Sequence, residues 1–232
     1  MQSSCRLGAT LPGSPHSRIC WQDVTKTTLQ QRLDENRITG EEEEEEEETK
    51  KQKLPVLLWI HGGSYQRSVE VGLPVLAASI NYRKGGWGNM YSREIQGSGN
   101  TNLALRDMRK ALAWIQENIG AFGGDPSSVT IWGESAGSFA VGQLLMTYGG
   151  RTDGLFHRSI QESGSAATAW YNGSDWYQPI YDKIVGQVNC TQAIDTLKCL
   201  RSVDYEDIFP FLNASAVTGP GWYPTVGKST RL

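Results

Sequence analysis

The stretch FGGDPSSVTIWGESAGSFAVG, residues 122–142, constrains this chain more than any other part of it. VTIW (129–132) has the apolar, β-branched character of a strand, and SAGSFAVGQLLMTY (135–148) that of a helix. Only Gly133 and Glu134 separate them, so the chain must reverse sharply at Ser135. In Gly133-Glu134-Ser135-Ala136-Gly137 the two glycines leave room for that turn, and a G-x-S-x-G turn of this kind lifts its serine hydroxyl above the end of a sheet. The pentapeptide alone is common by chance; placed between a strand and an apolar helix it becomes specific.

The neighbouring segments supply the rest of an α/β pattern. LPVLLWI (54–60) and LPVLAASINY (73–82) are continuous apolar runs, expected to be strands buried on both faces. In NTNLALRDMRKALAWIQENIGAFGG (100–124) Leu103, Leu105, Met108, Leu112, Ile115 and Ile119 recur near helical spacing, with Asn100 or Thr101 as the expected cap and Gly123-Gly124 as the stop. FHRSIQESGS (156–165) contains a further strand. Strands alternating with helices predict an α/β fold with a mostly parallel sheet and helices on both faces. One junction is short: only Gln66–Gly72 lie between HGGSY and LPVLAAS, where a parallel crossover ordinarily carries a helix. Either these strands are not parallel neighbours or a crossover helix has been lost.

Composition divides the chain near residue 53. All nine tyrosines and all but one of the eight tryptophans follow Ile60 or immediately precede it, so the core-forming part starts at Leu54. Residues 1–53 show no sustained period and end in EEEEEEEETKKQK, whose adjacent carboxylates repel one another; they read as a separate, disordered leader. The formal charge is −3, of which Glu41–Glu48 carry −8, leaving +5 spread over the remainder. Scattered Lys and Arg without a basic stripe argue against a nucleic-acid partner. No apolar run is long enough for a membrane span, and the N-terminal residues lack the apolar core of a signal peptide. Three N-x-[ST] sequons, at Asn172, Asn189 and Asn213, are candidate glycan acceptors and point the other way, to export. Cys5, Cys20, Cys190 and Cys199 form no C-x-x-C pair, which argues against a zinc site, and no metal is expected. VGKST (226–230) is not a P-loop, because Trp222 stands where its first glycine is required.

A serine on such a turn attacks a carbonyl when a base takes its proton and N–H donors receive the oxyanion. His61-Gly62-Gly63-Ser64 after the first apolar run is a glycine-rich loop in the position that supplies main-chain donors, and Ala136 follows the serine. That loop and the residue after the serine are the candidate sources of donors.

WIHGGSY, SINYR, GNTNLALRDMRKALAWIQENI, FGGDPSSVTIWGESAGS and LFHRSIQESGS together resemble the type-B carboxylesterase family, from about Leu54 to Val226. The resemblance implies a partial α/β-hydrolase fold, with residues 54–232 as its N-terminal part and its C-terminal side incomplete. It implies Ser135 as the acyl-forming nucleophile on a small-molecule carboxylic ester, without a cofactor, and Gly63, Ser64 and Ala136 as the oxyanion hole. Glu134 and Ser163 would be polar groups beside the catalytic histidine, and Cys190 and Cys199 would form the family's loop disulfide. By the same likeness the protein is expected to be secreted; oligomeric state is left open.

The family's triad runs Ser, then an acid, then His. The only histidine after Ser135 is His157, and Asp175, Asp182, Asp204 and Glu206 fall too early to match the acid. His61 belongs to the glycine-rich loop and His16 to the leader. A truncated or mis-spliced form of a longer esterase is thus expected. The alternatives are a non-catalytic binding homologue, as occurs within that family, and a fragment with no function of its own.

Overall fold

A computed structural model describes residues 6–7, 19–21, 53–62, 74–169, 171–213 and 222–225. Its strands are β1 (Arg6–Leu7), β2 (Ile19–Trp21), β3 (Leu54–Ile60), β4 (Leu76–Ile80), β5 (Gly124–Glu134) and β6 (Arg158–Glu162). They form one sheet in the order β1-β2-β4-β3-β5-β6, in which β4, β3, β5 and β6 are parallel and the β1 and β2 pairings antiparallel. The helices are α1 (Gly85–Asn89), α2 (Arg93–Gly97), α3 (Leu103–Asn118), α4 (Ala136–Gly150), α5 (Ser174–Gln187), α6 (Thr196–Ser202) and α7 (Tyr205–Asn213).

Two findings revise the expectations for the sheet. β3 and β4 are parallel neighbours, with Val56 opposite Leu76 and Trp59 opposite Ser79, which removes the reading in which they are not adjacent. Part of the expected leader also enters the sheet: Ile19 pairs with Ile80 and Cys20 with Ser79. Three residues are too few to show a period, so β2 is defined by the edge of β4 rather than by its own sequence. The glutamate run lies outside the described residues.

The core sits on one face of the sheet. Val56, Leu58 and Ile60 of β3, Ala78 and Ile80 of β4, and Val129 and Ile131 of β5 are all buried. They share a face because alternate residues of a strand do and because the register sets Val56 beside Val129 and Leu58 beside Ile131. Against them α3 lays Leu105, Met108, Leu112 and Ile115, and α4 lays Ala140, Val141 and Leu144. Helical spacing in 100–124 thus identified the buried stripe. The helix itself begins at Leu103, and Asn102, not Asn100 or Thr101, precedes it in the left-handed conformation with φ 50°. Its amide does not cap α3; it clasps the Thr225 backbone, donating to the carbonyl and accepting from the N–H, both at 2.9 Å.

The opposite face is covered less. Leu57, Trp59, Thr130 and Trp132 are half-buried, and Ile160 of β6 is 43% exposed. Trp59 and Trp132 meet edge to face at 4.6 Å. The expectation that both apolar runs are buried on two faces is met on the α3 and α4 side alone; in β4, Ala77 and Ser79 are exposed.

A second apolar cluster is built by α2, α5, α6 and α7 around Ile95, Tyr181, Ile184, Val185, Leu200, Ile208 and Leu212. The Cys190–Cys199 disulfide lies within it, its Cα atoms 5.8 Å apart. Tyr177, fully buried, donates its hydroxyl to the Tyr223 carbonyl at 2.7 Å and lies parallel to the Trp222 ring. The 222–225 segment therefore ties this cluster to Asn102 at the start of α3. Closing a loop of nine residues, the disulfide contributes about 2–3 kcal/mol. A Cys190→Ala/Cys199→Ala variant is expected to lose that much in a urea titration, and an unchanged midpoint would show the bond to be energetically idle.

Candidate active site

Ser135 stands between the last residue of β5 and the first of α4 with φ 54° and ψ −120°. That conformation is one that residues bearing a Cβ rarely adopt, costing about 1–3 kcal/mol. Its neighbours enforce it. A Cβ on Gly133 would come within 2.4 Å of the Gly137 backbone, and one on Gly137 within 2.0 Å of the Ile60 carbonyl oxygen. The turn is therefore closed on itself and pressed against the end of β3, which leaves the serine no relaxed alternative. Ser135→Gly is expected to raise stability by about 1 kcal/mol by releasing this strain, whereas Ser135→Ala keeps it. Paired urea titrations check the difference, and equal midpoints would mean the turn is unstrained.

Backbone hydrogen bonds hold the serine from both sides. Its N–H donates to the Glu162 carbonyl at the end of β6, and its carbonyl accepts from Phe139 N–H in the first turn of α4, each at 3.0 Å. Ala136 is the first residue of α4, where N–H groups have no partner within the helix and the helix dipole is positive. Of the other two expected oxyanion donors, Gly63 and Ser64, both lie outside the described residues. The loop that leads to them is visible as far as Gly62, whose missing side chain matters: a Cβ there would lie 2.7 Å from the Glu134 carbonyl oxygen and 3.3 Å from the Ser135 Cβ. The glycine-rich loop and the serine turn are thus in contact.

Glu134 directs its carboxylate toward the same loop, Oε2 lying 3.3 Å from where a Gly62 Cβ would stand. Glu134 is opposite Glu162, whose carbonyl holds the Ser135 N–H, and Ser163 follows directly with a positive φ, 56°. Gly164 then packs directly on Ser138 and Phe139 of α4. β5 and β6 thus bring Glu134 and Ser163 to the end of the sheet where the serine turn lies.

The histidines are placed differently. His157 lies next to Val129, its N–H donating to the Val129 carbonyl at 2.8 Å and its Nδ1 accepting from Val129 N–H at 3.3 Å. At about 3.3 Å per strand residue this is roughly 20 Å from Ser135, beside the middle of β5 and just before β6. His61 is close to the turn, but its imidazole stacks on Tyr82 and its Nδ1 meets the Gly62 carbonyl at 2.8 Å. Burial lowers its pKa, so the ring is neutral at pH 7. The Nδ1 atoms of both histidines thus engage backbone groups.

The remaining candidates lie away from the turn. Asn189 is exposed with φ 58° just beyond α5. Asn172 is half-buried, its amide oxygen accepting from the Trp176 indole at 3.3 Å. Asn213 ends α7, and its side chain is not among those described. Sequence reasoning missed two partnerships: Tyr82 on the His61 loop, and Arg83, whose guanidinium and backbone N–H both engage Asp107 of α3. Only the INYR run after β4 marked that place, and it gives no sign of which residues it would meet.

The sequence profile of the carboxylesterase family matches residues 17–229. The chain belongs to the carboxylesterase family. That match starts well before Leu54, so the family region includes β2 and reaches further than the motifs indicate. A secreted triacylglycerol lipase, LIP1, of Gibberella zeae is 39% identical over 203 residues, covering 77% of this chain and 34% of the relative. Lipase 4 of Diutina rugosa is 38% identical over 176 residues, covering 67% of this chain and 32% of its own length. The crystal structure of Aspergillus niger EstA superposes with a TM-score of 0.66 at 32% identity, over 77% of this chain and 38% of that one. This carboxylesterase-family chain thus spans about a third of the length of the curated relatives it matches. The parallel β4-β3-β5-β6 sheet with its helices matches the α/β-hydrolase fold of that neighbour. Among the described residues no helix is long and apolar enough to cross a membrane.

Proposed function

We propose that Ser135 is the acyl-forming nucleophile of a carboxylic ester hydrolase. The observation that carries this reading is the strained serine backbone, locked between Gly133 and Gly137 at the N-terminus of α4 and touching the glycine-rich loop. Strain of this kind persists where a side chain has to be held in one exposed position. The Ser135 Oγ attacks the ester carbonyl carbon as its proton passes to a base, the carbonyl oxygen becomes an oxyanion, and the bond to the alcohol breaks as that proton is handed to the departing oxygen, leaving an acyl-serine. Water then attacks the acyl carbon, releasing the acid and restoring the hydroxyl.

Ala136 N–H at the helix terminus, with Gly63 and Ser64 from the loop, form the oxyanion hole in this proposal. Such donors act in the transition state and are worth about 3 kcal/mol each. Glu134 and Ser163 would steady the protonated base. That base comes from outside the described residues, since His61 and His157 are both committed elsewhere. The chemistry uses no cofactor, and the substrate is a small-molecule carboxylic ester of the kind a lipase accepts, as the relatives' names indicate. The naming of the Gibberella zeae relative as a secreted lipase, the Cys190–Cys199 bond and the exposed Asn189 support a secreted glycoprotein.

A fluorophosphonate probe tests the reading directly. The folded protein is expected to take up one probe at Ser135 and to take up none as Ser135→Ala. Folded, soluble protein that stays unlabelled overturns it.

A further inference from the structure

β6 is the last strand of the sheet, and among the described residues no strand pairs with its outer edge. All of its residues, Arg158–Glu162, are exposed. The Glu162 carbonyl faces inward, accepting from Ser135 N–H. Along a strand the N–H and C=O of one residue point to one side and those of the next to the other, so Ile160 and Arg158 also turn theirs toward β5. Ser159 and Gln161 therefore turn theirs outward, and an edge of this kind is a template for another strand.

The side chains decide which strand fits. Arg158, Ile160 and Glu162 lie on one face of the sheet, Ser159 and Gln161 on the other. In RSIQE the cation and the carboxylate flank the isoleucine symmetrically, so the strand complements a reversed copy of itself. Antiparallel pairing about a two-fold axis at Ile160 sets Arg158 opposite the partner's Glu162, Glu162 opposite the partner's Arg158, and the isoleucines opposite each other. Ser159 and Gln161 then exchange N–H···O bonds with the partner's Gln161 and the partner's Ser159. Arg158, Ile160 and Glu162 fall at the non-hydrogen-bonded pairs, where opposed side chains come closest. A parallel arrangement would set arginine beside arginine and glutamate beside glutamate. A shift of the antiparallel register by one pair would set Arg158 or Glu162 against isoleucine.

Both charges are available for this contact. Arg158 donates one N–H to the Ser128 hydroxyl at 3.2 Å, and among the described residues neither Arg158 nor Glu162 makes an ion pair. The apolar groups agree with the charges. Register sets Trp59 beside Trp132 and Trp132 beside Ile160, a row that crosses the less covered face and stops at the exposed Ile160. The two-fold axis carries that row into the second molecule.

We propose that the outer edge of β6 is a dimerisation surface, on which a second copy of this chain pairs antiparallel in the register centred on Ile160. Both copies use the same edge, so the contact closes at two molecules instead of growing into a fibre. Nothing in it depends on the ester-hydrolase reading.

Sedimentation equilibrium of the full chain is expected to give twice the mass of one 25.6 kDa chain at about 100 µM. A single-chain mass overturns the proposal, and so does an open series of larger species. Arg158→Glu and Glu162→Arg each bring like charges together at both ends of the pairing, and each is expected to raise the dissociation constant about tenfold or more. The exchange Arg158→Glu/Glu162→Arg is expected to restore it. Single variants that associate as tightly as the wild type, or an exchange as weak as the singles, contradict the register. Amide exchange in the wild type gives a reading that needs no variant: Ser159 and Gln161 are expected to slow as the protein is concentrated, while Ile160, already turned to β5, does not change. Exchange at Ser159 and Gln161 that is independent of concentration overturns the pairing.

Discussion

Gly137→Ala is expected to prevent the serine turn from closing and to cost about 3 kcal/mol or more, the upper range for forcing atoms into a filled site. The added methyl would lie 2.0 Å from the Ile60 carbonyl oxygen and 3.0 Å from its carbon, which are main-chain atoms of β3 and not the movable end of a side chain. Relief therefore requires α4 to withdraw from the sheet, exposing Ala140, Val141 and Leu144 from the core. Gly133→Ala meets the Gly137 backbone at 2.4 Å and should behave alike. Gly97→Ala and Gly120→Ala are the matched controls, since neither Cβ would find an atom within 4 Å. They are expected to be neutral or to stabilise by about 0.5–1 kcal/mol through lost chain entropy. Urea titration of the four variants checks the contrast; a Gly137→Ala midpoint equal to the controls would mean the turn is not packed as described.

Ser135→Ala is the complementary case, a variant that keeps the fold and loses the chemistry. Alanine retains the Cβ and the strained φ, makes the same backbone bonds to Glu162 and Phe139, and removes only the hydroxyl. Its urea midpoint should match the wild type. Under the proposed function, hydrolysis of a soluble p-nitrophenyl ester should fall by about 10³-fold or more, because without the proposed nucleophile only binding and the oxyanion donors would remain. A loss confined to KM would assign Ser135 to substrate binding, and undiminished turnover would remove it from the mechanism.

The parts of the fold that were legible in the sequence are those set by local rules. The serine turn is specified within five residues by glycines whose space requirement shows in the spacing. The α3 stripe is specified by period, and Leu105, Met108, Leu112, Ile115 and Ile119 are buried as it predicts. Cys190 and Cys199 became a pair through likeness to a family, and the structure joins them.

What escaped the sequence depends on partners far along the chain. Ile19–Trp21 is a strand because β4 offers it an edge, and three residues carry no pattern of their own. Asn102, and not the expected Asn100 or Thr101, precedes α3, and its amide is taken by Thr225, 123 positions away. Tyr82 meets the His61 carbonyl across 21 positions, and nothing in INYR announces that contact. The sequence offers no base for Ser135 for a different reason: chain order excludes His157, which the structure sets beside Val129 in the middle of β5.

Trapping the acyl-serine tests the central claim most directly. The folded protein, mixed with excess p-nitrophenyl acetate, quenched in acid and digested, is expected to carry one acetyl group on the peptide that contains Ser135, released in proportion to a burst of p-nitrophenol. A folded protein with no acetylated peptide, or one acetylated elsewhere and equally so as Ser135→Ala, would contradict the account.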